Sequence, residues 1–356
     1  MSLNTKLDEF CRKLPKVELH AHLNGSISEA TLSKLIERKL KDFPDGVELA
    51  VAQRTINKGQ RRTLDECFAM FRIIHPLTDT AETIYMVTCD VIRDFAEDNV
   101  KYLELRSTPR HVPATGMTKE TYVRAILKAI EDCKESMDII VKFMLAIDMR
   151  NTLEGADETV ELANKLKDCS NGVVVGVDFS GDPKAGDARS FIPVFQKAQS
   201  YGLKLALHLA EVPERNEETL EVLKLIPGRV GHGTFLLPED GGNQELVDVM
   251  VQNKIPLELC LTSNIKGQTV AAYDNHHFKK WYDIGHPISV CTDDKGVFST
   301  TLSEEYSILA QTFELSQEKL WDISYKSIDL IFADEKTKAY LRGVWEKERE
   351  NVFKLS

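Results

Sequence analysis

Eight short apolar, β-branched runs recur along the chain, and helical periodicity separates each from the next. The first four are "KVELHAH" (16–22), "VKYLELRST" (100–108), "IIVKFMLAID" (139–148) and "GVVVGVDFS" (172–180). The second four are "LKLALHLA" (203–210), "RVGHG" (229–233), "IPLELCLTS" (255–263) and "HPISVCTDD" (286–294). Strands buried on both faces read as near-continuous hydrophobic runs, so this pattern predicts a parallel sheet covered by crossover helices. The stretches 118–137, 188–202 and 216–228 supply such helices. Eight βα units in 356 residues predict one α/β domain over 1–356, a single (β/α)8 TIM-type barrel. An open doubly wound sheet is the alternative, but no G-x-G-x-x-G follows the first strand. The region 27–98 is too long for one crossover. It predicts a helical insertion over the catalytic face, including the basic "NKGQRR" (57–62), in a position to act as a lid.

Composition removes several classes of function. With 45 basic against 56 acidic residues the net charge is −11, which argues against binding a nucleic acid polymer. No apolar run reaches membrane-spanning length, so no membrane partner is expected. The start "MSLNTKLDEF" is polar and lacks the apolar core of a signal peptide. The cysteines, Cys11, Cys67, Cys89, Cys133, Cys169, Cys260 and Cys291, are odd in number and scattered. They read as reduced thiols of a cytosolic protein. A monomer is the expectation for its assembly.

In such a barrel the C-terminal strand ends converge on one mouth. Strand one brings His20 and His22, which share a face because alternate residues of a strand do. Strand five brings His208, with Glu211 three residues on; strand six brings His232; strand eight brings Asp293 and Asp294. Three imidazoles and one carboxylate suit one Zn2+ per chain, in a barrel of the metal-dependent hydrolase kind. His232 and Asp294 are then surplus groups able to hold, orient and deprotonate a water, and Glu211 is a surplus acid able to protonate a substrate nitrogen. No lysine ends strand four to bridge a second metal, and the H-x-E with P-C-x-x-C signature of the other zinc deaminase fold is absent. His276, His277 and His286 read as structural.

"VELHAHLNGS", "VDFSGDP", "LHLAEVP", "VGHG", "LELCLTSN" and "CTDDKGVFST" follow one another over nearly the whole chain, and together they resemble the adenosine deaminase family. The resemblance implies that His20, His22, His208 and Asp293 hold zinc and that Glu211 donates a proton to purine N1. It implies that His232 and Asp294 handle the attacking water and that the backbone of Gly181 approaches the purine, as a glycine permits. His22 and Asp294 are also expected to touch the substrate.

One position departs from the family pattern. Ordinary members read H-x-H-x-D-G after strand one, with the aspartate facing the ribose 5′ hydroxyl; here it is Asn24. Together with Ser107, Thr108, Pro109 and Arg110 after strand two, this is similar to the adenosine deaminase-like subgroup. That likeness implies hydrolysis of N6-methyl-AMP, and related N6-substituted purine nucleoside monophosphates, to IMP and methylamine. It implies a 5′ phosphate held by Asn24, His75 and residues 107–110, with Asp148 also touching substrate. The nearest alternative is deamination of free adenosine to inosine and ammonia. An ester or cyclic-amide hydrolase would not need an acid where Glu211 stands, and a non-catalytic binding barrel would be expected to have lost its polar site residues.

Overall fold

The computed structural model describes residues 5–42 and 64–354. Its strands are β1 (Lys16–His22), β2 (Val100–Ser107), β3 (Ile140–Asp148), β4 (Val174–Ser180), β5 (Lys204–Leu209), β6 (Arg229–His232), β7 (Leu257–Leu259) and β8 (Ile288–Val290). Each pairs in parallel with the next in sequence order. Closure comes from one parallel bridge between Ala21 and Asp293. There the Asp293 N–H donates to the His20 carbonyl at 2.8 Å and the His22 N–H to the Asp293 carbonyl at 3.1 Å. The barrel is therefore shut by the residues that line its mouth.

Helices lie between the strands, as the periodicity predicts. Lys119–Cys133 begins at Thr118, whose hydroxyl accepts from the Thr121 N–H in a capping box that satisfies otherwise orphaned donors. Its buried face, Tyr122, Val123, Ile126, Ala129, Ile130 and Cys133, repeats at helical spacing. The 27–98 region contributes helices Glu29–Asp42, Leu64–Leu77 and Ala81–Glu97; "NKGQRR" lies outside the described residues. Helix Thr5–Lys13 leads into β1 at the opposite end of the barrel and packs against helices Leu302–Phe313 and Glu335–Phe353. Lys16 is fully buried there, its ammonium donating to the Cys11 and Leu14 carbonyls at 2.9 and 2.8 Å.

The last two strands are shorter than their apolar runs. Leu261–Lys266, expected to continue strand seven through residue 263, is a helix. The buried Glu305 carboxylate accepts the Thr262 N–H at 3.0 Å and so satisfies a donor at the helix start. The turn delivers Ser263 and Asn264 to the mouth. Six cysteines, Cys11, Cys89, Cys133, Cys169, Cys260 and Cys291, are unpaired thiols. Among the described residues no helix is long and apolar enough to cross a membrane.

Candidate active site

A cavity of about 300 Å³ opens at the C-terminal ends of the strands. His22, Asn24, His75, Ser107, Thr108, Arg110, Asp148, Gly181, His208, Glu211, His232, Asp293 and Asp294 all line it. His20 lies behind that wall, fully buried. Pro109 is buried and is not part of the lining.

At the floor, one donor atom from each of His20, His22, His208 and Asp293 lies within 4.8 Å of the others. The Nε2 atoms of His22 and His208 stand 3.2 Å apart. Asp293 Oδ1 is 3.3 Å from Nε2 of both His20 and His22. His20 Nε2 is buried with no hydrogen-bond partner. Converging imidazole nitrogens around one carboxylate oxygen leave lone pairs aimed at a common point, so the donor set fits a divalent zinc-like ion.

The histidines are held from below. His20 Nδ1 donates to Glu258 at 2.7 Å, and His208 Nδ1 lies 3.1 Å from Asp178. A carboxylate on one ring nitrogen fixes the tautomer that frees the other for a metal. These acids are themselves anchored. Arg106 reaches Asp178 at 2.7 Å and Glu258 at 2.9 Å, and Arg229 reaches Glu258 and Glu104 at 2.5 Å each. Burial alone would raise the Glu258 carboxyl, but Arg106 and Arg229 hold it well below its usual range. Glu18 accepts from the His20 N–H and from both the N–H and hydroxyl of Thr292, joining β1 to the start of the Asp293 turn.

Sequence reasoning overlooked this buried polar layer. Single acids and arginines within apolar runs read as solvent-facing breaks, yet Glu18 sits two and four residues before the histidines of its own strand. Period two alone places it on their face. Backbone geometry adds its own constraints: His232 and Asp293 occupy left-handed conformations at φ 59° and 60°, a strain that the surrounding contacts sustain. A Cβ on Gly25 would lie 1.5 Å from Asp294 Oδ1, so the Asn24-Gly25 break gives Asp294 its place. Gly181 has φ 101°, and a Cβ there would meet Asp148 Oδ1 at 2.6 Å.

Three groups surround the donor set without joining it. Burial pushes the Glu211 carboxyl up to about 7. Burial, with Asp293 adjacent, lifts Asp294 well above the carboxylate range; a cation at the four-donor point would offset that. His232 Nε2 stands 3.8 Å from Asp293 Oδ2, which also accepts from Ser263 at 2.6 Å.

The opposite end of the cavity is built from loops and two helices, Leu64–Leu77 and Lys119–Cys133. Asn24 Nδ2 donates to the Tyr122 hydroxyl at 3.0 Å, and that hydroxyl bonds Ser107 Oγ at 2.6 Å. Asn24 Oδ1 is buried without a partner. Arg110 donates from Nη1 to the His75 carbonyl at 3.1 Å, and from Nη2 to the Thr78 carbonyl and, at 2.7 Å, to its hydroxyl. The Arg110 guanidinium also lies 5.6 Å from the Tyr122 ring centroid. Asp148 is clasped by Arg150, with Nε at 2.8 Å and Nη2 at 2.6 Å. Tyr122 and Arg150 were not expected here, nor was Ser263 at the metal end; a tyrosine on the buried face of an amphipathic helix signals core rather than site.

The adenosine deaminase family model matches residues 15–347. The human N6-methyl-AMP deaminase is 52% identical over 348 residues, covering 98% of this chain and 97% of that protein. The crystal structure of Arabidopsis N6-mAMP deaminase MAPDA is 37% identical, with a TM-score of 0.87 over 95% of this chain and 99% of the other. Arabidopsis ADAL complexed with IMP is 36% identical, also at 0.87, over 95% and 98%.

Proposed function

Because this chain belongs to the adenosine deaminase family and is a purine-deaminating hydrolase, we propose that it hydrolyses N6-methyl-AMP to IMP and methylamine with one zinc ion per chain. The relatives named for that activity and the IMP-bound neighbour support the nucleotide as substrate. The observation that carries the choice over free adenosine is the rim at Asn24. A neutral amide, two hydroxyls and the Arg110 cation gather there.

His20, His22, His208 and Asp293 would hold the zinc. When bound, the ion supplies Lewis acidity that brings the pKa of a water towards about 7. His232 and Asp294 would hold and orient a water and accept its proton. Glu211, whose carboxyl burial raises to about 7, donates its proton to purine N1, so that the ring carbon under attack becomes electrophilic. The Gly181 backbone allows the purine to lie flat against the wall. Asn24, His75, Ser107 and Thr108 receive the 5′ phosphate beside the positive charge of Arg110, while Pro109 stiffens their loop. Asp148 is a further contact to the substrate. Helix Leu64–Leu77, which carries Phe71 and His75 to the cavity, acts as part of a lid. A monomer is the proposed working unit.

The test is kcat/KM for adenosine, AMP, N6-methyladenosine and N6-methyl-AMP. The expected order has N6-methyl-AMP first and both nucleosides last. Equal efficiency on adenosine and AMP would return the assignment to adenosine deamination.

A further inference from the structure

His276 and His277 lie in the connection between β7 and β8, 44 and 45 positions beyond His232, and pack behind it. Their rings stack with centroids 4.2 Å apart and planes 21° from parallel. Both are buried. His276 Nδ1 accepts the Phe278 N–H at 3.0 Å. That nitrogen therefore carries no proton. Burial, with His277 alongside, holds the His276 ring well below its ordinary pKa, so the ring is neutral and its single proton is on Nε2. His276 Nε2 lies 2.9 Å from the Asn264 side-chain oxygen and must donate to it. This settles which way round the Asn264 amide sits, which bond distances alone leave ambiguous.

With its oxygen committed to His276, Asn264 turns its NH2 towards Thr269 Oγ1 at 3.1 Å, Thr234 Oγ1 at 3.4 Å and His232 Nδ1 at 3.5 Å. The hydroxyls adapt to either orientation; an imidazole nitrogen does not. His277 Nε2 meanwhile donates to the His232 carbonyl at 2.9 Å and braces a backbone held at φ 59°.

We propose that Asn264 and His276 are positioning residues that fix the tautomer of His232, with Nδ1 as acceptor and the proton on Nε2, aimed into the metal site. His232 then acts on the attacking water as a hydrogen-bond donor, which leaves Asp294 as the group that takes up the water's proton. This rests on the role given to His232 under the proposed function. It divides between two residues a task that the spacing of the motifs assigns to both.

The test uses the full-length, zinc-loaded enzyme with histidines labelled at nitrogen. Two-bond proton–nitrogen correlation reads the tautomer of each ring, and the His232 signals are identified by their loss in His232→Gln. In wild type, His232 and His276 are both expected as Nε2-protonated rings. Asn264→Asp replaces the donor to Nδ1 with an acceptor of the same shape. The His232 proton should move to Nδ1, and kcat should fall about tenfold or more, with KM and zinc content within about twofold. His276→Phe should free the amide and give mixed tautomers with a smaller loss, while His276→Gln, which can still donate to Asn264, should restore much of both. The His276 pair decides the matter if Asn264→Asp fails to fold. An Nδ1-protonated His232 in wild type overturns the proposal, as does a tautomer and kcat unmoved by Asn264→Asp and His276→Phe alike. Failure of the substrate assignment shows up separately, as a changed order among the four substrates with the tautomers as expected.

Discussion

The two ends of the cavity are built differently. The metal end takes its side chains from the barrel strands and the turns that close them, and three of its four donors are braced by a second buried group: His20 by Glu258, His208 by Asp178, Asp293 by Ser263. Behind these lies an ionic layer in which Glu104, Arg106, Asp178, Arg229 and Glu258 are all fully buried. Breaking one partner of such a network leaves an uncompensated buried charge, at about 3–5 kcal/mol. The rim end is assembled from the loops after β1, β2 and β3 together with helices Leu64–Leu77 and Lys119–Cys133, and Thr108 and Arg110 there are only half-buried. The chemistry therefore stands on a layer that tolerates little movement, and substrate choice on a rim that single residues can retune.

The largest effect is expected at the rigid end. His208→Ala should remove zinc and activity together while the barrel still folds, because the eight-stranded sheet does not depend on that ring. Metal analysis beside circular dichroism checks this, and a metal-free preparation with full activity would undo the metal assignment. Next is Glu211→Gln, which should keep zinc and substrate binding yet lower kcat by about 10²–10⁴-fold, the range of a positioned general acid. An unchanged kcat would take Glu211 out of the mechanism and weaken the contrast between a catalytic floor and a selective rim.

The same contrast governs what could be read before folding. The histidines of the floor stood out because an imidazole interrupts an apolar strand, and strand ends of a barrel must meet. Glu258 and Asp178 did not stand out, because a lone acid in a strand signals an exposed face unless its partner is known, and their partners Arg106 and Arg229 are supplied by β2 and β6, distant in sequence. At the rim, Asn24 was legible only as a departure from a family pattern, and Tyr122, which ties Asn24 to Ser107, carried no signal. The end of β7 was misjudged because Cys260, Leu261 and Thr262 continue the apolar, β-branched run past Leu259 with no break signal. Its helical turn depends on Glu305, more than forty residues away.

Asn24→Asp is the sharpest probe of the rim. The change keeps the shape, and the Tyr122 hydroxyl can turn to donate to the new carboxylate, so what is added is charge. A 5′ phosphate carries roughly −1.5 to −2 charges at neutral pH. At about 4 Å and an effective dielectric near 20, each unit repels the carboxylate by on the order of 4 kcal/mol. Screening and relaxation will reduce this, so KM for the monophosphate should rise roughly tenfold or more, with the nucleoside nearly unaffected. A rise shared equally by both substrates would mean that Asn24 serves the ribose and not the phosphate.

Arg110 gives the smallest expected effect and the finest distinction. Charge alone would make it a phosphate ligand, yet both terminal nitrogens are already committed to the end of helix Leu64–Leu77, through the His75 carbonyl and the carbonyl and hydroxyl of Thr78. Such contacts complement the negative end of a helix and hold the turn that carries His75. The fork thus tethers the helix, while its positive charge, over the Tyr122 ring, still faces the rim. Lysine keeps the charge and loses the fork. Losing one net hydrogen bond of about 1 kcal/mol corresponds to about a fivefold change in an equilibrium. Arg110→Lys should therefore raise KM by about fivefold for nucleotide and nucleoside alike, since both bind in a cavity that Phe71 and His75 of this helix line. Arg110→Ala should add a further rise for the nucleotide only. KM for AMP and adenosine, measured with both variants, separates the two jobs. A lysine variant impaired on the nucleotide alone would show that the fork grips phosphate directly and that the helix end needs no tether.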